Sequence, residues 1–142
     1  MTNPSGKPAR RPAVLFLCIH NAGRSQIALG WFTHLAAGRA TGYSGGSEPA
    51  DHVNPAALAV MSEVGIDIAH ERPRRWSDSD LEAADVVVTM GCGDTCPYVP
   101  GTRYEDWPID DPAGLPVEAV RPIRDEIRKR VEKLLGEIGI AT

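Results

Sequence analysis

Cysteine is scarce in this chain, three residues among 142. An odd and small number, with no apolar leader ahead of it, argues against a disulfide-stapled scaffold and predicts a reducing, cytoplasmic setting. A thiol there is inert, catalytic or metal-binding. Long apolar runs are missing too: Ala13 to Cys18 is too short for a secretory segment or a membrane span, so neither is expected. Nor is there an excess of positive charge. Fifteen Lys and Arg stand against 19 Asp and Glu, a net charge of −4, so no global field draws in nucleic acid and any affinity for anions has to be local. Internal repeats and low-complexity segments are absent, which excludes solenoid and fibrous architectures.

What is present is ordinary globular composition, 42% hydrophobic and 24% charged, enough for one core. Residues 1–12 (MTNPSGKPARRP) are polar with three prolines and read as a flexible N-terminal tail, leaving 13–142 as a single domain. Ala13 to Leu17 reads as a strand. Ile27, Ala28, Trp31, Phe32 and Leu35 recur at helical spacing, with Gly38 expected as the C-cap. Thr41 to Ser47 reads as a second strand. Asn54 and Pro55 open a helix with Ala57, Leu58, Met61 and Val64 on one face, ending at Gly65. Ser77-x-x-Asp80 is a capping box for a short helix. Asp85 to Met90 reads as a central strand buried on both faces, and Arg103 to Trp107 as a weaker one. From Val117, the stripe Val120, Ile123, Ile127, Val131, Leu134 and Ile138 forms a long helix whose start Pro122 bends or marks. Strands alternating with helices predict a doubly wound α/β fold, with ligands at the carboxyl ends of the strands.

One segment carries most of the chemistry: Cys18-Ile19-His20-Asn21-Ala22-Gly23-Arg24-Ser25, directly after the first strand. Five residues between a thiol and a guanidinium let the chain curl so that backbone N–H groups converge on one tetrahedral anion, with Arg24 closing the ring as a planar, two-bond donor. The helix that follows adds a positive end, which favours both the anion and a thiolate. Gly91-Cys92-Gly93-Asp94-Thr95-Cys96-Pro97 follows the central strand and should lie at the same edge. Cys92 and Cys96 have metal-like spacing, yet no second ligand pair lies at matching offsets, so no metal is expected. Asp110-Asp111-Pro112-Ala113-Gly114 offers a carboxyl that could protonate a leaving oxygen.

C-x5-R-S between a short strand and a helix resembles the low-molecular-weight tyrosine phosphatase superfamily. The form with His20-Asn21 before Gly23-Arg24-Ser25 is similar to its arsenate reductase branch, and D-P-A-G favours that branch over the D-P-Tyr of the phosphatases. The resemblance runs from about Ala13 to Leu135. It implies a four-stranded parallel sheet in order 2-1-3-4 with helices on both faces. It implies Cys18 as nucleophile, Ser25 as thiolate stabiliser, Asp111 as acid, a left-handed Asn21, and an oxyanion cradle of Ile19, His20, Asn21, Ala22 and Gly23 amides with Arg24. Arsenate would be the substrate, with phosphate and sulfate competing, and no cofactor would be bound. A thiol would supply electrons. Many thioredoxin-coupled members have Glu four residues after the loop serine, at a potassium site; here that residue is Leu29. The short GCGDTCP form resembles the actinobacterial enzymes that use mycothiol and mycoredoxin, the alternative being Cys92 and Cys96 as an internal shuttle recycled by thioredoxin. Two rivals are a phosphotyrosine phosphatase, and an oxyanion sensor, which would want a basic recognition helix that the chain lacks.

Overall fold

Six consecutive buried residues, Ala13–Cys18, form β1, and everything else is arranged around that strand. A computed structural model describes residues 11–91 and 98–142, so Cys92 and Cys96 lie outside the described residues. The strand pairs in parallel with β2 (Thr41–Gly46) on one side and β3 (Val86–Thr89) on the other, and β3 pairs in parallel with β4 (Arg103–Asp106). The sheet order is β2-β1-β3-β4, as the resemblance implied. Between the strands run α1 (Arg24–Ala36), α2 (Pro55–Glu63), α3 (Asp78–Ala83) and, last, α4 (Val117–Glu137).

The alternation of side chains along a strand divides the core in two. Val14, Phe16, Cys18, Val86 and Val88 face a large layer built from α1, α2 and α4, where Phe16 meets Phe32 edge-on at 5.5 Å and Trp107 at 5.9 Å. Leu15, Leu17 and Val87 face the smaller layer of Leu81 and Ala84 from α3 and its end. Helices therefore cover both faces. Buried Arg124 braces the large layer: its guanidinium donates to the Val60 carbonyl at 2.9 Å and pairs with Glu63, while its carbonyl accepts from Trp31 Nε1 at 3.1 Å. Among the described residues no helix is long and apolar enough to cross a membrane.

Several local expectations are corrected. The last two residues of the expected tail are held, since Arg11 donates to the Gly38 carbonyl and the Pro12 carbonyl accepts from Thr41 N. α1 ends one residue earlier than expected, with Ala37 as the left-handed C-cap (φ 50°) and Gly38 beyond it. The buried face of α2 is Ala57, Val60 and Met61, whereas Leu58 and Val64 are only partly buried. That helix is apolar nearly all round, so its composition leaves the phase of its buried face open. Asn54 does cap it, its side chain accepting from Ala56 N at 2.8 Å. α4 starts at Val117, which puts Pro122 inside the helix rather than in its first turn. The lost hydrogen bond there is outweighed by the buried stripe of Val120, Ile123, Ile127, Val131 and Leu134.

Candidate active site

The loop from Cys18 to Gly23 leaves the carboxyl end of β1 and feeds the first turn of α1. Its outer side is occupied by carbonyls: those of Ile19, His20 and Ala22 accept from the N–H groups of Glu48, Ala50 and Asn54 at 2.8, 3.0 and 2.8 Å. A trans peptide sets each C=O opposite the next N–H, so carbonyls turned outward aim the following amides, His20, Asn21 and Gly23, inward. Asn21 makes the turn possible by taking a left-handed backbone, φ 49°, as the resemblance implied. Gly23 is the N-cap of α1 and supplies no side-chain cap, which leaves the helix's first N–H groups for another acceptor.

Beneath the loop, Cys18 Sγ lies 2.9 Å from Ser25 Oγ, both atoms belonging to buried residues. Asn21 Nδ2 donates to the same Oγ at 2.7 Å. Because the serine oxygen accepts from the amide, its own hydrogen is available to the sulfur, the arrangement an anionic sulfur calls for. Arg24 is 8% exposed, donates Nη1 to the Ile109 carbonyl at 3.2 Å and brings Nη2 to 3.7 Å from Asp111 Oδ2. His20 sits at the rim with Nδ1 3.0 Å from the Glu48 carbonyl; an acceptor there requires that Nδ1 carry the hydrogen.

Cys18, His20, Ala22, Gly23, Arg24, Asn54, Asp111 and Ala113 line one concavity of about 30 Å³. That is room for a small anion, and none of these residues is Phe, Tyr or Trp. Larger cavities of about 250 and 380 Å³ lie beside α1 and along β4 and α4, and the described residues lining them include no thiol. Ile19 is turned away toward the smaller core layer.

Three close approaches hold neighbouring segments against the loop, and each needs a glycine. A Cβ on Gly23 would stand 2.5 Å from Pro112, one on Gly46 2.5 Å from the Ile19 carbonyl, and one on Gly91 2.5 Å from Arg24 Nη1. Gly91 also has φ 82°. The absence of a side chain at residue 91 leaves the space in which the guanidinium sits. The sequence did not single out Gln26 or the Ile109 carbonyl, and it marked Asn54 only as a helix cap, not as part of the lining. Gln26 had a readable signal, a polar side chain in the first turn of the helix that follows the loop, and its Nε2 donates to the Asn21 carbonyl at 3.0 Å.

The two adjacent aspartates separate cleanly. Asp111 reaches the concavity and is held by a local turn in which its Oδ1 accepts from Ala113 N at 3.0 Å. Asp110 lies elsewhere, in a shallow cavity with Pro108, Pro122 and Glu126. We therefore expect Asp111→Asn to lower kcat roughly 10²-fold or more with little change in anion affinity, as for a proton donor used in the transition state. Asp110→Asn should stay near the parent rate, and the reverse ranking in steady-state assays would reassign the acid.

Known proteins match both the chain and its fold. A glutaredoxin arsenate reductase of Synechocystis sp. is 38% identical over 129 residues, covering 89% of this chain and 98% of that protein. The structure of a thioredoxin-dependent arsenate reductase of Corynebacterium glutamicum superposes with a TM-score of 0.78 at 39% identity over 92% of this chain, which spans 62% of that longer protein. An arsenate reductase in its phosphate-binding state superposes with a TM-score of 0.80 at 36% identity, covering 90% of this chain and 99% of that one. The sequence pattern that matches here covers residues 13–141, nearly all of the folded chain, and by that match the protein belongs to the low molecular weight phosphotyrosine protein phosphatase family.

Proposed function

We propose that this protein reduces arsenate to arsenite, with Cys18 as nucleophile. The observation that carries the reading is the convergence of Cys18, Arg24 and Asp111 on one anion-sized concavity. The Cys18 thiolate forms a bond to arsenic while one arsenate oxygen leaves as water, taking its proton from Asp111. Arg24 and the loop amides hold the remaining oxygens, and Ser25 keeps the sulfur anionic until it attacks. A second thiolate then completes the reaction. If it attacks the Cys18 sulfur, a disulfide forms and the sulfur–arsenic bond breaks with its electron pair left on arsenic, so two thiols are oxidised and arsenite departs. If the second thiol is mycothiol, it displaces Cys18 from arsenic without redox change, and mycoredoxin then attacks the mycothiol sulfur to release arsenite.

Leu29 and the short Cys92-x3-Cys96 spacing favour mycothiol with mycoredoxin as the electron source. The presence of the cysteine pair, and the likeness to a thioredoxin-dependent enzyme, favour the internal shuttle as the second reading. Arsenate turnover with the two purified reducing systems side by side separates them. Under the mycothiol reading, Cys92→Ser and Cys96→Ser each keep at least half the parent rate with mycothiol and mycoredoxin, and potassium stimulates little. Loss of that activity in either variant, with a Cys18–Cys92 or Cys92–Cys96 disulfide trapped by mass spectrometry, establishes the shuttle instead. A phosphotyrosine phosphatase would use the same cradle, but the described lining carries no aromatic wall and Ala113 stands where a tyrosine would. Hydrolysis of aryl phosphates at a rate above arsenate reduction would reverse the assignment.

A further inference from the structure

One ion pair outside the loop reaches into it. The main-chain N–H of Arg74 donates to Asn21 Oδ1 at 3.0 Å, while its guanidinium grips both oxygens of Asp80 at 2.7 and 2.8 Å. Asp80 is itself fixed, 8% exposed at its side chain, in the capping box of α3: its Oδ2 accepts from Ser77 N at 2.8 Å and its N–H donates to Ser77 Oγ at 3.1 Å. The Arg74 carbonyl accepts from Gly46 N at 2.9 Å. Residue 74 is thus tied to α3, to the end of β2 and to the loop, and its side chain does not line the anion concavity.

Hydrogen-bond polarity carries the consequence inward. Asn21 Oδ1 receives two donors, Arg74 N–H and Gln26 Nε2 at 3.2 Å, so a flipped amide would set donors against donors. With Oδ1 committed, Nδ2 faces Ser25 Oγ, and when Cys18 is a thiolate, which has no hydrogen to give, the serine hydroxyl is the donor to Cys18 Sγ. The chain of donors runs one way and ends on the sulfur.

We propose that Arg74 and Asp80 are positioning residues for the Cys18 thiolate, acting through Asn21 and Ser25 from outside the substrate site. The inference rests on Cys18 being the nucleophile but not on arsenate being the substrate. The titratable and charged groups around the thiol among the described residues are His20 in the loop, Arg24 at the start of α1 and Asp111 before α4, with the Arg74–Asp80 pair behind Asn21.

The test is the rate of Cys18 alkylation by iodoacetamide across pH, read on the Cys18 peptide by mass spectrometry in the full chain. Asp80→Asn and Arg74→Ala should each slow the reaction at pH 7 roughly tenfold and move its half-maximal pH upward, the effect of weakening one hydrogen bond to a charged group. Arg74→Lys, which keeps a single contact to Asp80, should recover part of the loss. Glu63→Gln, which breaks a remote ion pair between α2 and α4, should lower the melting temperature without moving the profile. An unmoved profile in any folded variant of Arg74 or Asp80 overturns the proposal, and if Asp80→Asn does not fold, Arg74→Ala and Arg74→Lys decide it. Slow Cys18 alkylation in the parent chain, no faster than for an exposed thiol, would instead count against Cys18 as nucleophile.

Discussion

Arsenate turnover is expected to fall on the order of 10⁴-fold or more in Cys18→Ser, to the level of the assay background, while the fold is retained. A hydroxyl in place of the thiol attacks arsenic poorly and cannot enter the thiol exchange that moves two electrons, so both halves of the reaction are lost at once. Stability should change little. The substitution nearly conserves volume, and the new oxygen meets Ser25 Oγ, a hydroxyl that can satisfy it. Phosphate and sulfate should still bind the variant, because the amides and Arg24 are untouched. Thermal unfolding and anion titration check the intact fold and cradle, and arsenite release at the parent rate would rule out the mechanism.

The second large effect is expected from Arg24→Lys, although the charge is kept. The guanidinium is buried, lies in a slot left open by Gly91, and spans from the Ile109 carbonyl to the side of Asp111. An ammonium is a point donor on a flexible stem and cannot make two parallel bonds to an oxyanion while one nitrogen is anchored elsewhere. Losing a preorganised donor to the developing charge costs about 10²- to 10³-fold in kcat/KM, with sulfate affinity falling as well. A variant within about threefold of the parent would show that the loop amides alone hold the anion.

The loop and its arginine were readable because their geometry is local: a strand end, a tight curl and a helix start lie within eight consecutive residues. The sheet order was readable through the same segment, since a cradle of this form resembles one fold. The phase of α2 was not, because the helix is apolar nearly all round and only packing, chiefly against α4, selects Val60 over Leu58. Arg74 was not readable either. It stands 53 residues from Asn21, it is exposed like Arg72 and Arg75, and nothing in the run Arg72-Pro73-Arg74-Arg75 marks the arginine that is tied to the loop. Asp80 was legible as half of a capping box, but its second duty toward Arg74 arises only when the segment ahead of α3 lies along the end of β2, where Gly46 N donates to the Arg74 carbonyl. Long-range contacts of this kind leave no periodic trace.

Gly91 has a bearing on how this protein could be re-engineered. A library meant to alter the reductant would naturally randomise the stretch from 91 to 97, on the view that this stretch serves electron supply while the cradle serves the anion. Its first position does not belong to that division. Any side chain at residue 91 would contend with Arg24 for the same volume and would have to hold a positive φ as well, so variants there should lose arsenate before they gain a new donor. Diversity in such a library is useful only from residue 92 onward.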